Sequence, residues 1–204
     1  MKKQLQSMAL LLAIVCIQTS STAMNNDLFD RGVVSKKGKE ATADCFIQKK
    51  DGSIETFKSL KLVTGVFKTP HLLADGKIKI EAKDIAAYQN SDHFAVSDEN
   101  IEGERKAKVA IGSLPGFAVR IAKGKLNVYS RKYYNGKNSV DELFIQEGSN
   151  GKIIPYSAEG MATILKDHPE ALNALNNKKN YSNVTQQLQA VADIFNQDQL
   201  MSKN

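Results

Sequence analysis

From residue 41 to about 156 the chain alternates apolar and polar residues in short runs, with turn residues between them about every eight to twelve positions. After Ser157 the apolar residues recur instead at spacings of three and four. This switch of period narrows the architecture at once, because a period of two builds strands and a period near 3.6 builds helices.

The strand-like runs can be read individually. ATADCFIQ (41–48) leads into the turn signal Lys50-Asp51-Gly52-Ser53, after which IETFKSLKLV (54–63) resumes an extended pattern with Leu60 and Leu62 on one face. Beyond Ala74-Asp75-Gly76, KIKIEA sets Ile78 and Ile80 against Lys77, Lys79 and Glu81. DIAAYQ (84–89) and HFAV (93–96) flank Asn90-Ser91-Asp92. FAVRIA (117–122) aligns Phe117, Val119 and Ile121, and Lys123-Gly124 turns the chain into KLNVYSRKYY.

The helical region opens at Ser157, whose hydroxyl can cap a helix, with Glu159 suited to the positive end of the dipole. Met161, Ile164, Leu165 and His168 fall at helical spacing, and Pro169 suits the first turn of a second helix, PEALNAL. After the polar stretch NNKKNYSN, the residues Val184, Leu188, Val191 and Phe195 form a stripe expected to dock on the sheet. Strands followed by helices predict an α+β fold, an antiparallel β-sheet body (a roll or open barrel) closed by two to three C-terminal helices. No helical pattern of adequate length interrupts the strands, so parallel βαβ units are not expected.

Residues 1–23 carry Lys2 and Lys3, an apolar run of about ten residues (8–17) and a small-residue ending at Ser21-Thr22-Ala23. These are the three parts of a cleavable secretory signal, and the run is too short for the ~20 residues of a membrane span. Cleavage after Ala23 is expected. The alternative, a lipoprotein processed at Cys16, is disfavoured by the bulky Val15 where a small residue is required. Residues 24–40 read as a polar, flexible leader, and 41–204 as a single α+β domain, β-rich over 41–156 and helical over 157–198.

Removal of the signal takes away two lysines and no acids, so the formal charge falls from +6 to +4. Lysines and acids alternate through most of the chain, so the balance alone implies no nucleic-acid partner. Cys45 remains the only cysteine after cleavage, which leaves no internal disulfide and a fold dependent on its apolar core.

The order of a signal peptide, a strand-turn unit around KKDGS, the segment ADGKIKIEAKDIAAYQ, the GKLNVYSRKYY hairpin with its LFIQEG strand and a helical tail resembles a broad group of uncharacterised exported bacterial proteins. The resemblance implies the architecture and no particular activity.

Candidates for chemistry are few. His71, His93 and His168 are not at metal-ligand spacing, and neither HExxH nor paired CxxC occurs, so no metal and no cofactor are implied. Ser113 in GSLPG (112–116) misses the GxSxG spacing by one residue. Cys45 with His71 or His93 could form a thiolate and base, but its place in an apolar strand points to a small buried hydrophobe. Asp92, Asp98, Glu99, Glu102 and Glu104 could supply a carboxylate pair for glycoside cleavage, but lie in a polar, turn-like stretch.

NVYSRKYYNGKNSV (127–140) places three tyrosines among basic residues and turns at Asn135-Gly136. A two-residue turn would set Tyr134 against Lys137, Arg131 against Val140, Tyr129 against Glu142 and Val128 against Leu143. Leu126, Val128, Leu143 and Ile145 then face the core, while Tyr129, Arg131 and Tyr133 form the opposite face, with Glu142 diagonal to Arg131. A four-residue loop or a one-residue slip is expected to exchange the faces.

The aromatic-basic strand face, Tyr129, Arg131 and Tyr133, is the candidate ligand-binding surface, together with the hairpin tip. The expectation is an exported non-enzymatic module that binds an envelope protein or glycan, with no transmembrane segment in the mature chain. The alternative is an exported hydrolase using Cys45 or a carboxylate pair in a cleft between sheet and helices.

Overall fold

The structure, a computed structural model, describes residues 45–65, 68–102 and 109–201. The expected signal peptide (1–23), the leader (24–40), Cys16 and Glu104 lie outside the described residues.

The fold is α+β. A main antiparallel sheet of nine strands runs in the order β12-β11-β10-β9-β7-β6-β1-β2, with β8 attached to β10. Its strands are β1 (Cys45–Lys49), β2 (Ile54–Phe57), β6 (Ile85–Gln89), β7 (Phe94–Ser97), β8 (Val109–Ala110), β9 (Phe117–Ala122), β10 (Leu126–Tyr134), β11 (Ser139–Glu147) and β12 (Ile154–Pro155). A second sheet holds β3 (Leu60–Gly65), β4 (Lys68–Ala74) and β5 (Ile78–Glu81). The main sheet stays open rather than closing into a barrel. The helices follow as α1 (Ala158–Ile164), α2 (Pro169–Asn176) and α3 (Val184–Met201).

One face of the main sheet is covered in two halves. The small sheet packs on β1, β6 and β7 through Leu60, Leu72, Ala74 and Ile80, which meet Cys45, Ile47, Ile85 and Tyr88. The helices cover the β9–β11 half, where Met161, Leu165, Leu175, Leu188, Val191 and Phe195 meet Leu126, Val128 and Ile145. On the opposite face Phe94, Val96, Ala118, Tyr129 and Phe144 are buried with Ile101 and Ile153. Those two isoleucines come from segments far apart in sequence that join in a parallel bridge, with Glu102 N–H donating to Ile153 O at 2.9 Å.

The local signals explain most boundaries. Ser157 Oγ accepts from Gly160 N–H at 3.0 Å and starts α1, and Pro169 opens α2. His168 lies at the boundary before α2, its ring edge-on to Phe195 at 4.4 Å, rather than continuing the stripe of α1. Val184 is exposed, so the docking stripe of α3 begins at Leu188 and gains Ala192.

The extended run 54–63 is two strands, not one. It breaks at Lys58-Ser59, where the chain leaves the main sheet as β2 and enters the small sheet as β3.

The hairpin also differs from expectation, in its register. Its loop has four residues, Asn135 to Asn138, closed by Asn135 N–H to Asn138 O at 3.1 Å. The Asn135 side-chain carbonyl accepts from Lys137 N–H and Asn138 N–H at 2.9 and 2.8 Å, while Gly136 takes the left-handed conformation, φ 92°. Tyr134 therefore pairs with Ser139, Arg131 with Glu142, Tyr129 with Phe144 and Val128 with Ile145. The displacement is two positions, an even number, so the faces do not exchange.

Candidate functional site

Tyr129, Arg131 and Tyr133 share one face of β10, as the period of two requires, but that face is not a surface. They are 2%, 9% and 7% exposed. The Arg131 guanidinium donates from Nε and Nη2 to Glu142 Oε2 at 3.0 and 2.7 Å, and its Nη1 lies 3.8 Å from Asp98 Oδ2. It lies 5.1 Å from the Phe144 ring centre. Tyr133 OH donates to the other Glu142 oxygen at 2.7 Å. Glu142 stands directly across from Arg131, not diagonal to it. A buried guanidinium needs this much pairing to offset its lost hydration. The expected exposed aromatic-basic face is thus an internal polar cluster.

Tyr129 reaches toward the base of the hairpin. Its hydroxyl donates to Gln146 Oε1 at 2.7 Å, and Gln146 Nε2 donates to Ser149 O and Gly151 O at 3.3 and 2.8 Å. Burial pushes the phenol up to about 12, with the Arg120 guanidinium pulling the other way. Arg120, Lys123, Asn127, Tyr129, Gln146 and Ser149 line a small polar recess here.

The tip of the hairpin is different. Val109 stands opposite Tyr134 in register, and Ile111 follows two residues on, its N–H donating to Lys132 O at 2.9 Å. Val109, Ile111 and Tyr134 are 69%, 42% and 45% exposed. Three of the five exposed large hydrophobic residues among those described thus come from β8, the residue just past it, and the facing end of β10.

The nucleophile candidates face inward. Cys45 is a free thiol, 5% exposed, in the apolar cluster beneath the small sheet. Ser113 is buried, its hydroxyl donating to Leu114 O and Phe117 O at 3.2 and 3.1 Å. His93 Nε2 is 2.8 Å from Tyr88 OH, and burial lowers its pKa, partly opposed by Asp92. His71 Nδ1 is 2.9 Å from Thr69 O. Of the acids, Glu99 pairs with Lys50 at 2.7 Å and Glu102 with Lys152 at 2.8 Å. Among the described residues no group of three or more His, Cys, Asp or Glu side chains is placed to hold a metal, and no helix is long and apolar enough to cross a membrane.

No protein-family model, curated protein or solved structure matches the chain. Tyr134 belongs to the predicted tip, but Val109 and Ile111 carried no signal in the sequence. A strand of two residues shows no alternation, and only pairing with β10 reveals what those two residues do.

Proposed function

We propose that this chain is an exported, non-enzymatic module that binds a protein partner in the cell envelope, with the tip of the β10–β11 hairpin and β8 as its contact surface. The observation that carries the reading is the adjacency of Tyr134 on β10, Val109 on β8 and Ile111 just past it, all exposed. Contiguous exposed apolar groups on a water-facing protein mark contact sites, and tyrosine is enriched at the energetic centre of such contacts. The aliphatic Val109 and Ile111 suit a protein partner better than a glycan.

A hydrolase built on Cys45 would need its thiol to reach a cleft and a base, and that thiol lies in an apolar cluster. The acids near residue 100 sit with Lys50, Lys152 and Arg131, an arrangement suited to holding segments together.

The test is a photo-crosslinking side chain placed at Tyr134 or, as control, at Lys178, with irradiation in the native envelope. The reading predicts one discrete adduct from position 134, absent from 178 and lost when Val109→Ser and Ile111→Ser are added. Equal labelling from both positions, or none from 134, would sink it. Sequencing the exported protein from its first residue tests the export part, with Met24 as the expected start.

A further inference from the structure

The small sheet concentrates charge that the order of the chain disguises. Leu60, Leu62, Leu72, Ala74 and Ile80 pack toward the main sheet. The period of two therefore turns Lys61, Val63, His71, Leu73, Lys79 and Glu81 outward. Pairing lines these up in two cross-strand rows, Lys61–Leu73–Lys79 and Val63–His71–Glu81. Lys58 and Lys77 flank the first row, because their turns are tied together: Asp75 N–H donates to Ser59 O at 3.0 Å, and Ser59 N–H donates to Asp75 Oδ1 at 2.9 Å.

Residues 58–84 hold six lysines (58, 61, 68, 77, 79 and 83) against three acids (Asp75, Glu81 and Asp84), a net +3, half of the chain's +6. All six lysines are exposed. Glu81 is held between Lys79 and Lys83 at 2.9 and 3.0 Å, whereas Lys58, Lys61, Lys68 and Lys77 join no ion pair among the described residues. Leu72, Ala74 and Ile80 hold the inner face against the core, so Lys61, Lys77 and Lys79, on the opposite parity, point away from the body, while Lys68 shares the parity of Leu72.

We propose that the outer face of β3–β4–β5 docks on an anionic lipid surface. Two features favour lipid over an acidic protein. The cations are all lysines, flexible point charges without the planar fork that recognises a fixed carboxylate, and they suit a fluid field of phosphate headgroups. The half-buried Leu73 on the central strand, with Val63 on the edge strand beside it, can contact the headgroup boundary while the surrounding lysine stems extend to the phosphates. Each lysine held near such a surface contributes about fivefold in affinity. This surface is distinct from the hairpin tip, and either contact can hold without the other.

The probe is sedimentation of the chain beginning at Met24 with phosphatidylglycerol–phosphatidylcholine vesicles, and with phosphatidylcholine vesicles alone. The expected result is binding to the anionic vesicles only, largely abolished between about 0.1 and about 0.5 M salt as screening shortens. The triple variant Lys58→Gln, Lys61→Gln, Lys77→Gln removes no ion pair, so it should keep its thermal midpoint while binding about a hundredfold more weakly. Lys178→Gln with Lys179→Gln, exposed elsewhere, should bind within about twofold of the parent. The proposal is overturned by failure of the parent to sediment, by equal binding to neutral vesicles, by salt-insensitive binding or by an equal loss in the control pair. Retention on immobilised polyglutamate without vesicle binding would reassign the face to an acidic protein. Serine at Val109 and Ile111 should leave sedimentation unchanged, separating this outcome from that of the hairpin tip.

Discussion

At the scale of single residues, Glu142 does the most to decide what the hairpin face is. Its two oxygens serve Arg131 and Tyr133, and the other carboxylate near the Arg131 guanidinium, Asp98, is 3.8 Å away. Glu142→Gln would leave a guanidinium that is 9% exposed with a neutral amide in place of its close carboxylate and Asp98 as the remaining anion of the cluster. We expect a loss of about 1–3 kcal/mol in denaturant unfolding, below the value for a fully buried pair because Glu142 is partly exposed. A change within experimental error would mean that the cluster is solvated.

Tyr129 gives the same face a pH signature. Its phenol is raised to about 12 in the folded chain, above an unfolded value near about 10. A raised folded pKa contributes stability that is fully present below the unfolded pKa. That contribution is lost as pH rises from about 10 through about 12. Tyr129→Phe should lessen the fall in stability across that interval, the remainder coming from Tyr88, whose buried phenol is also raised, and spectrophotometric titration of the parent should show tyrosinate formation delayed into the same range. A Tyr129 that ionises near about 10 would contradict its burial.

Among elements, the β9–β10 turn is pinned to α3. Asn196 accepts from Leu126 N–H at 2.9 Å and donates to Lys123 O and Leu126 O at 3.2 and 3.0 Å. A Cβ built on Gly124 would overlap the Asn196 side-chain amide. Gly124→Ala should therefore destabilise by about 1–3 kcal/mol, and Asn196→Ala by a comparable amount for its lost bonds. The double variant should fall clearly short of their sum, since removing Asn196 vacates the space that the methyl needs. Strict additivity in thermal or denaturant unfolding would show that the two residues do not meet.

The elements also show where the sequence could be read and where it could not. The faces of β10 were legible although the loop length was not, because an even shift of register preserves the period of two. β4 was not legible: Pro70 interrupts a run that pairs on both sides, beside the register shift between Val63 and Gly65. Tyr129 is buried in a cluster with Ile101 and Ile153, contributed by distant segments, and no local pattern announces that contact. The basic face had the same cause of concealment, since alternation along the chain becomes segregation only when three strands pair.

For the whole molecule, the helices and the small sheet share one face of the main sheet, and the Ile101 and Ile153 segments cover part of the other. Of the five exposed large hydrophobic residues among those described, three gather at the tip of the hairpin and the β8 segment beside it. The central claim is that this tip, and not the strand face behind it, meets the partner. Hydroxyl-radical footprinting of Tyr129, Tyr133 and Tyr134, in the isolated protein and in the native envelope, tests it within one strand. The account predicts that Tyr134 is oxidised in isolation and protected in the envelope, while Tyr129 and Tyr133 stay unreactive in both. Equal oxidation of Tyr134 in the two settings, or ready oxidation of Tyr129, would contradict it.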